Sequence, residues 1–236
     1  MPEKTYTFTK KQLNAEKNKV IAKFASIASH DLKNVVGGLS NIAYYLSKSL
    51  KVETETQKKM LELLSKEVVN LNNRISEVLD MTRVKQLTKK VCDLKSIMLL
   101  AISESEIEGI KFDQNLISTQ VYADPEKMKQ AFANIIKNSK DAMGNSGIIK
   151  IDMQIISDTI VTTIKDSGPG MESDVLEQCF DPMFSTKTAR AVGMGLTVAQ
   201  QIIELHKGII KIDSEPVKGT TAIISLPIYK EEPSSN

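Results

Sequence analysis

Apolar residues recur through the first third of the chain at alternating steps of four and three. Ile21, Ala25, Ala28, Leu32, Val35, Leu39, Ile42 and Leu46 form one run, and Leu61, Leu64, Val68, Leu71, Ile75 and Val78 form another. A repeat of about 3.5 residues marks an apolar seam along an α-helix. No proline falls between Pro2 and Pro125, so nothing breaks helices over residues 10–88. The polar stretch 51–56 between the runs reads as a turn. Two helices with seams this narrow bury little by themselves. The pattern therefore predicts an all-α helical hairpin that pairs with a second copy as a dimeric four-helix bundle, although a plain coiled-coil spacer would carry the same seam.

From about residue 91 the period changes. Segments 147–156, 159–165, 208–213 and 220–226 are rich in Ile, Val and Thr and read as strands. Segments 94–107, 125–143 and 196–206 read as helices. Asp124-Pro125 opens the middle one, with aspartate as cap and proline at the first helical position. Helices mixed with consecutive hairpin strands predict an α+β domain. The expected organisation is a helical hairpin over residues 1–90, an α+β two-layer sandwich over 91–229, and a polar, disordered tail over 230–236. The cationic junction 82–90 is the expected hinge.

Charge narrows the function. Lys and Arg total 31 against 29 for Asp and Glu, a balance that argues against a nucleic-acid footprint. No apolar run approaches the roughly 18 residues of a membrane helix, so the chain reads as cytoplasmic, or as the soluble part of a longer membrane-linked sensor. Cys92 and Cys179 have no metal-site spacing and read as ordinary thiols of a reducing compartment.

Within the first helix, His30 lies about 180° from the centre of the seam, at about 100° per residue. Its imidazole therefore faces solvent. Asp31 follows it and Asn34 lies one turn on. A carboxylate beside an imidazole can accept the Nδ1 proton and leave Nε2 as a nucleophile. The amide of Asn34 could hold a water near the ring.

In the second half, Asn134 and Asn138 stand four apart on the helix after Pro125, on one face. Asp166-Ser167-Gly168-Pro169-Gly170 ends a strand. Phe184-Ser185-Thr186-Lys187 follows, then Gly193-Met194-Gly195-Leu196 at the start of a helix, where backbone N–H groups favour phosphate. Lys218-Gly219-Thr220 enters the last strand. His206, near a helix C-terminus and before Gly208, reads as a charged cap.

The box His30-Asp31-Leu32-Lys33-Asn34 resembles the phosphoacceptor motif of sensor histidine kinases. The later motifs, in their order, resemble the GHKL (Bergerat) ATP-binding domain of that family. The resemblance implies autophosphorylation of His30 by MgATP and transfer of the phosphoryl group to an aspartate of a response regulator receiver domain. It makes Asp31 the assisting base and gives Asn34 a part in dephosphorylating that partner, so phosphatase activity is a second expected function. Asn138 would coordinate Mg²⁺ and Asn134 would support the phosphates. Asp166 would read adenine, with Gly168 and Gly170 shaping the loop and Thr220 lining the pocket. Phe184, Thr186 and Lys187 would belong to a mobile lid. Gly193, Gly195 and Leu196 would form the phosphate-binding turn. Arg190 is a further candidate for the γ-phosphate. Departures from the usual motifs are Val35 in place of proline, Ala191 in place of the first lid glycine, and Val217 where Gly-x-Gly commonly begins. ATP-hydrolysing GHKL proteins carry a glutamate where this chain has Asn134. An amide cannot take a proton from water, which favours a kinase over an ATPase. A conformational, phosphatase-dominant regulator and a GHKL protein-serine kinase are the alternatives.

Overall fold

The computed structural model describes residues 32–49, 54–83, 87–105, 109–144, 146–186 and 193–231. The chain divides into two compact units, Met1–Arg83 and Val84–Asn236.

In the first unit, α1 (residues 32–49) and α2 (Glu55–Arg83) form a helical hairpin. Thr54 starts α2 through a reciprocal cap. Its Oγ1 accepts from Gln57 N at 3.2 Å, and its own N–H donates to Gln57 Oε1 at 3.1 Å. The motif satisfies two backbone donors that a helix start would otherwise leave unpaired. Val36, Ala43, Val68 and Ile75 form the buried contact between the helices. Asn72 Nδ2 donates across it to Ser40 Oγ at 3.1 Å. The hairpin thus closes through Val36 and Ala43, one position beyond the seam residues Val35 and Ile42. One residue rotates the face by about 100°. The seam itself points outward, with Leu32, Val35, Leu39 and Ile42 exposed at 51%, 62%, 43% and 56%. On α2, Val68 and Ile75 turn inward while Leu64 and Leu71 stay exposed.

The second unit holds a five-stranded sheet of order β2-β4-β5-β7-β6. Its strands are β2 (Ile110–Asn115), β4 (Gly147–Ile156), β5 (Thr159–Asp166), β6 (Ile209–Glu215) and β7 (Gly219–Pro227). β2 runs parallel to β4, and the other neighbours are antiparallel. β1 (Lys90–Asp93) pairs with β3 (Gln120–Ala123) in a separate ribbon. Helices α4 (Pro125–Met143) and α6 (Gly195–Leu205) cover one face of the sheet, with α3 (Leu94–Ser105) beside α4 and the short α5 (Ser173–Gln178) between β5 and α6 in the chain.

Period-2 alternation builds the core. Ile149, Ile151 and Met153 of β4, Ile160 and Ile164 of β5, and Ile224 and Leu226 of β7 are buried, as are Phe132, Ile135 and Ile136 of α4 and Val198, Ile202 and Ile203 of α6. Full burial of each such side chain is worth about 1.5–3 kcal/mol. The strands at 147–156 and 159–166 and the helix at 125–143 fall at or within one residue of the bounds read from sequence. β1, β2 and β3 did not stand out there, because they are short and β2 contains only Ile110 and Phe112 as apolar residues. The division between units falls at Arg83, earlier than the boundary at 90. Thr88 and Lys89 already bond within the second unit. At the other end, Lys230 pairs with Asp158 and Tyr229 N donates to Gln120 O at 2.7 Å, so the ordered chain continues past 229.

Thr54→Ala should lower the unfolding free energy of the hairpin by about 1 kcal/mol, with Thr54→Ser near wild type. Urea unfolding followed by circular dichroism checks this.

Candidate nucleotide-binding site

The helix α4 sets the first side of the site. Asp124 has extended backbone and its Oδ1 accepts from Lys127 N at 3.1 Å, with Pro125 at the first turn. This start fixes the helical phase. Met128, Phe132, Ile135 and Ile136 then face the core, and Asn134 and Asn138 lie half-buried, one turn apart, at its edge.

Asp166 ends β5 and is 3% exposed. Its Oδ1 accepts from Gly168 N and from Thr220 N, each at 3.0 Å. Oδ2 has no partner among the described residues. One oxygen is thus anchored by two backbone amides, and the other is available to a ligand donor. Gly219 packs so closely that a Cβ there would lie 2.0 Å from Asp166 O. Gly170 has φ +73°, and a Cβ would meet Glu215 O at 1.9 Å. Gly168 lies against Ala142 and Met143 at the end of α4. The loop after Asp166 is thereby held between α4 and the β6–β7 turn.

Ser214, which sequence reasoning passed over, ties this turn together. Its Oγ accepts from Met171 N at 2.9 Å, donates to Gly219 O at 3.1 Å, and lies 2.9 Å from Thr220 Oγ1. A lone serine in a β-strand gives no signal, so only the fold could reveal it. Val217, in the same turn, has φ +67° and donates its N–H to Pro169 O at 2.6 Å. A β-branched side chain in the left-handed region is strained.

The phosphate side begins at α6. Gly195 sits opposite Asn134, since a Cβ there would lie 3.9 Å from Asn134 Cβ. Met194 precedes the helix and gives no side-chain cap. Gly193 has φ +71°, its O accepts from Met183 N at 3.1 Å, and a Cβ would meet Phe184 O at 2.4 Å. Thr197 Oγ1 donates to Phe180 O at 3.0 Å. Met183 and Phe184 on one side and Gly193 on the other are therefore held against each other. Phe184 and Gly193 meet there, Gly195 and Leu196 open α6 two residues on, and Thr186 is exposed. Lys187 and Arg190 lie outside the described residues, as do His30 and Asp31 of the phosphoacceptor box. Asn34 is exposed on α1.

Two titratable residues fall outside this site's chemistry. Burial pushes the Cys179 thiol up to about 11, so it is no nucleophile at neutral pH. His206 is buried, and desolvation lowers its pKa below the usual value. The ring caps the end of α6, as its position in the sequence implied, but as a neutral imidazole and not as a cation. Nδ1–H donates to Ile202 O at 2.7 Å, and Nε2 accepts from Asp124 N at 2.9 Å.

The donor set suits a nucleotide with its metal. An amide-anchored carboxylate beside a glycine loop fits a base bearing an amino group, and paired amides opposite a helix start fit phosphates. Among the described residues no cluster of three or more His, Cys, Asp or Glu could hold a metal alone. Any Mg²⁺ at this site would need ligands from the phosphates and water together with an amide such as that of Asn138.

Fold and site together define a GHKL-type ATP-binding unit. Residues 123–230 match the family described as histidine kinase-, DNA gyrase B-, and HSP90-like ATPase. The match covers most of the second unit, Val84–Asn236, and relatives that resemble the chain over most of its length include proteins named sensor histidine kinase. The chain is 30% identical over 224 residues to the sensor histidine kinase ZraS of Salmonella typhimurium, covering 92% of this chain and 48% of that protein. The chain thus spans about half the length of the curated relatives it matches. Full-length ShkA, solved in complex with AMPPNP, superimposes with a TM-score of 0.73 at 18% identity, over 89% of this chain and 47% of that one. Histidine kinase ThkA in complex with the response regulator protein TrrA gives 0.63 at 22% identity, over 93% and 65%.

Val217→Gly should raise the unfolding free energy by about 0.5–1 kcal/mol, because relief of the left-handed strain outweighs the added unfolded-state entropy. Gly170→Ala should do the reverse and abolish ATP binding, since its Cβ would fall on Glu215 O. Thermal melts with and without ATP read both.

Proposed function

We propose that this chain is the catalytic core of a sensor histidine kinase, which phosphorylates His30 from ATP and passes the phosphoryl group to an aspartate of a response regulator. The observation that carries the reading is Asp166. Its Oδ1 is fixed by two amides and its Oδ2 is left to accept from the exocyclic amino group of adenine. Thr220 and Gly168 line that pocket. Asn134 and Gly195 face one another where the phosphates would lie, and the first turn of α6 supplies N–H groups toward them.

Nε2 of His30 attacks the γ-phosphorus, a new N–P bond forms, and the bond to the β,γ-bridging oxygen breaks as ADP leaves. Asp31 accepts the Nδ1 proton and stabilises the charge that the ring gains. The chemistry needs in-line placement and charge neutralisation more than covalent machinery. Bound through Asn138, Mg²⁺ would offset charge on the β- and γ-phosphate oxygens. Lys187 and Arg190 of the lid are the cations proposed to meet the phosphates. The amide at Asn134 leaves water without a base, so ATP waits for the imidazole. On α1, Asn34 is solvent-facing and follows His30 by four residues in the sequence, which supports a second role in dephosphorylating the partner.

The exposed seam Leu32, Val35, Leu39 and Ile42, with Leu64 and Leu71, supports pairing of two hairpins as a homodimer. No helix among the described residues is long and apolar enough to cross a membrane. The chain is proposed to act in the cytoplasm as part of a longer sensor, with residues 1–83 as the phosphoacceptor unit and 84–231 as the ATP unit. No observation favours a serine kinase or an ATP-binding regulator without kinase activity.

With γ-labelled MgATP, the purified chain should take up label that is lost in acid and stable in base, and His30→Ala and Asn138→Ala should take up none. ATP binding without label would contradict the kinase reading, and label on His30→Ala would mean another acceptor.

A further inference from the structure

Just ahead of the β1–β3 ladder, the incoming chain is also tied to the two helices of the nucleotide site, at the ends of α4 and α6 away from Asn138 and Gly195. Thr88 N donates to Asp124 Oδ2 at 2.8 Å, and Lys89 Nζ donates to Leu205 O at 2.7 Å. Asp124 Oδ1 meanwhile caps α4 through Lys127 N, and Asp124 N donates to Nε2 of the buried His206 at 2.9 Å. The two ring contacts leave one arrangement. A carbonyl can only accept and a backbone N–H can only donate, so Nδ1 carries the proton and Nε2 is the acceptor. Burial keeps the ring in this neutral form. The charged groups acting on it are Lys89, ahead of β1, and Asp124, at the β3–α4 corner, while Glu204 and Lys207 beside it in sequence are exposed.

We infer that His206 and Asp124 are positioning residues for phosphoryl transfer, clamping the chain that arrives from the helical hairpin onto the two helices that hold the nucleotide. This rests on the kinase reading above. α4 carries Asn134 and Asn138, and α6 opens at Gly195. A clamp at the N-terminus of α4 and the C-terminus of α6 therefore fixes both helices to residues 88–89. Thr88 and Lys89, which fall within the 82–90 stretch expected as a hinge, are thus bonded to the ATP unit. The lever is long. From Asp124 to Asn138, α4 extends about 21 Å at 1.5 Å per residue. A slack of about 5° at the clamp would displace the far end by about 2 Å. In-line attack tolerates less, since misplacement by about 1 Å can cost a hundredfold in rate. Loosening the clamp thus lets the whole packed body of α4, α6 and sheet shift against residues 88–89, which harms delivery of the γ-phosphate to His30, while the packing of α4 on α6 keeps the pocket that binds ATP intact.

The test uses the full chain and measures two quantities: the rate of His30 labelling at saturating MgATP, and the Kd for ATP. His206→Ala removes the acceptor, and His206→Gln can place an amide oxygen where Nε2 lies. Lys89→Met cuts the second tether at a partly exposed side chain and decides the matter if His206→Ala does not fold. His206→Ala should label about tenfold more slowly and Lys89→Met about threefold more slowly. Kd should stay within about twofold in all three, with His206→Gln restored to within about twofold of wild type in rate. Loss of ATP affinity in step with rate would reduce the pair to a structural role and overturn the inference. So would an impaired His206→Gln equal to His206→Ala, or unchanged rates in His206→Ala and Lys89→Met. A wild-type chain that binds ATP and takes no label would instead sink the kinase reading itself.

Discussion

The carboxylate of Asp166 organises the nucleotide site. It is buried at the end of a central strand, where an unsatisfied charge would be costly. Two backbone amides, from Gly168 and Thr220, offset that cost with charge-assisted bonds on a single oxygen. Gly168 sits on the loop after β5 and Thr220 at the start of β7, so the same bonds that satisfy the aspartate also fix that loop to the strand end. Gly219 must approach without a Cβ, Gly170 must adopt a left-handed backbone against Glu215, and Ser214 secures the turn from below. Changing the aspartate would therefore alter the shape of the pocket as well as its chemistry.

The two units solve burial differently. The ATP unit has a continuous core between α4, α6 and the sheet, and can be stable by itself. The hairpin buries Val36, Ala43, Val68 and Ile75 and leaves its larger side chains in solvent. That contrast is what a protein needs if one unit is a shared platform and the other moves.

Much of this was legible in the sequence, for identifiable reasons. Asp124-Pro125 signals a helix start with little ambiguity, and α4 begins there. β4 and β5 announce themselves by dense Ile, Val and Thr. The order of asparagines, Asp166 and glycines pointed to the ATP site, and the structure gathers Asn134, Asp166, Gly168, Gly195 and Thr220 into one unit. The misses have physical causes. β1 and β3 have four residues each, too few for a period to show. The seam read as one stripe splits into an inward face at Val36 and an outward face at Val35, a distinction of one residue that only pairing geometry decides. His206 looked like a surface charge because its acceptor contact is to Asp124, 82 residues away. His30 and Asp31 lie outside the described residues, so their chemistry rests on the box they form with Leu32, Lys33 and Asn34.

The central proposal is that Asp166 reads the amino group of adenine through Oδ2, the oxygen that the Gly168 and Thr220 amides do not engage. Calorimetric titration of the chain with ATP and with purine riboside triphosphate, which lacks only the 6-amino group, tests it directly. The account predicts that the analogue binds at least about tenfold more weakly, the equivalent of about 1.4 kcal/mol for a lost hydrogen bond to a buried carboxylate. Equal affinity for the two would contradict it, and with it the assignment of this pocket to adenine.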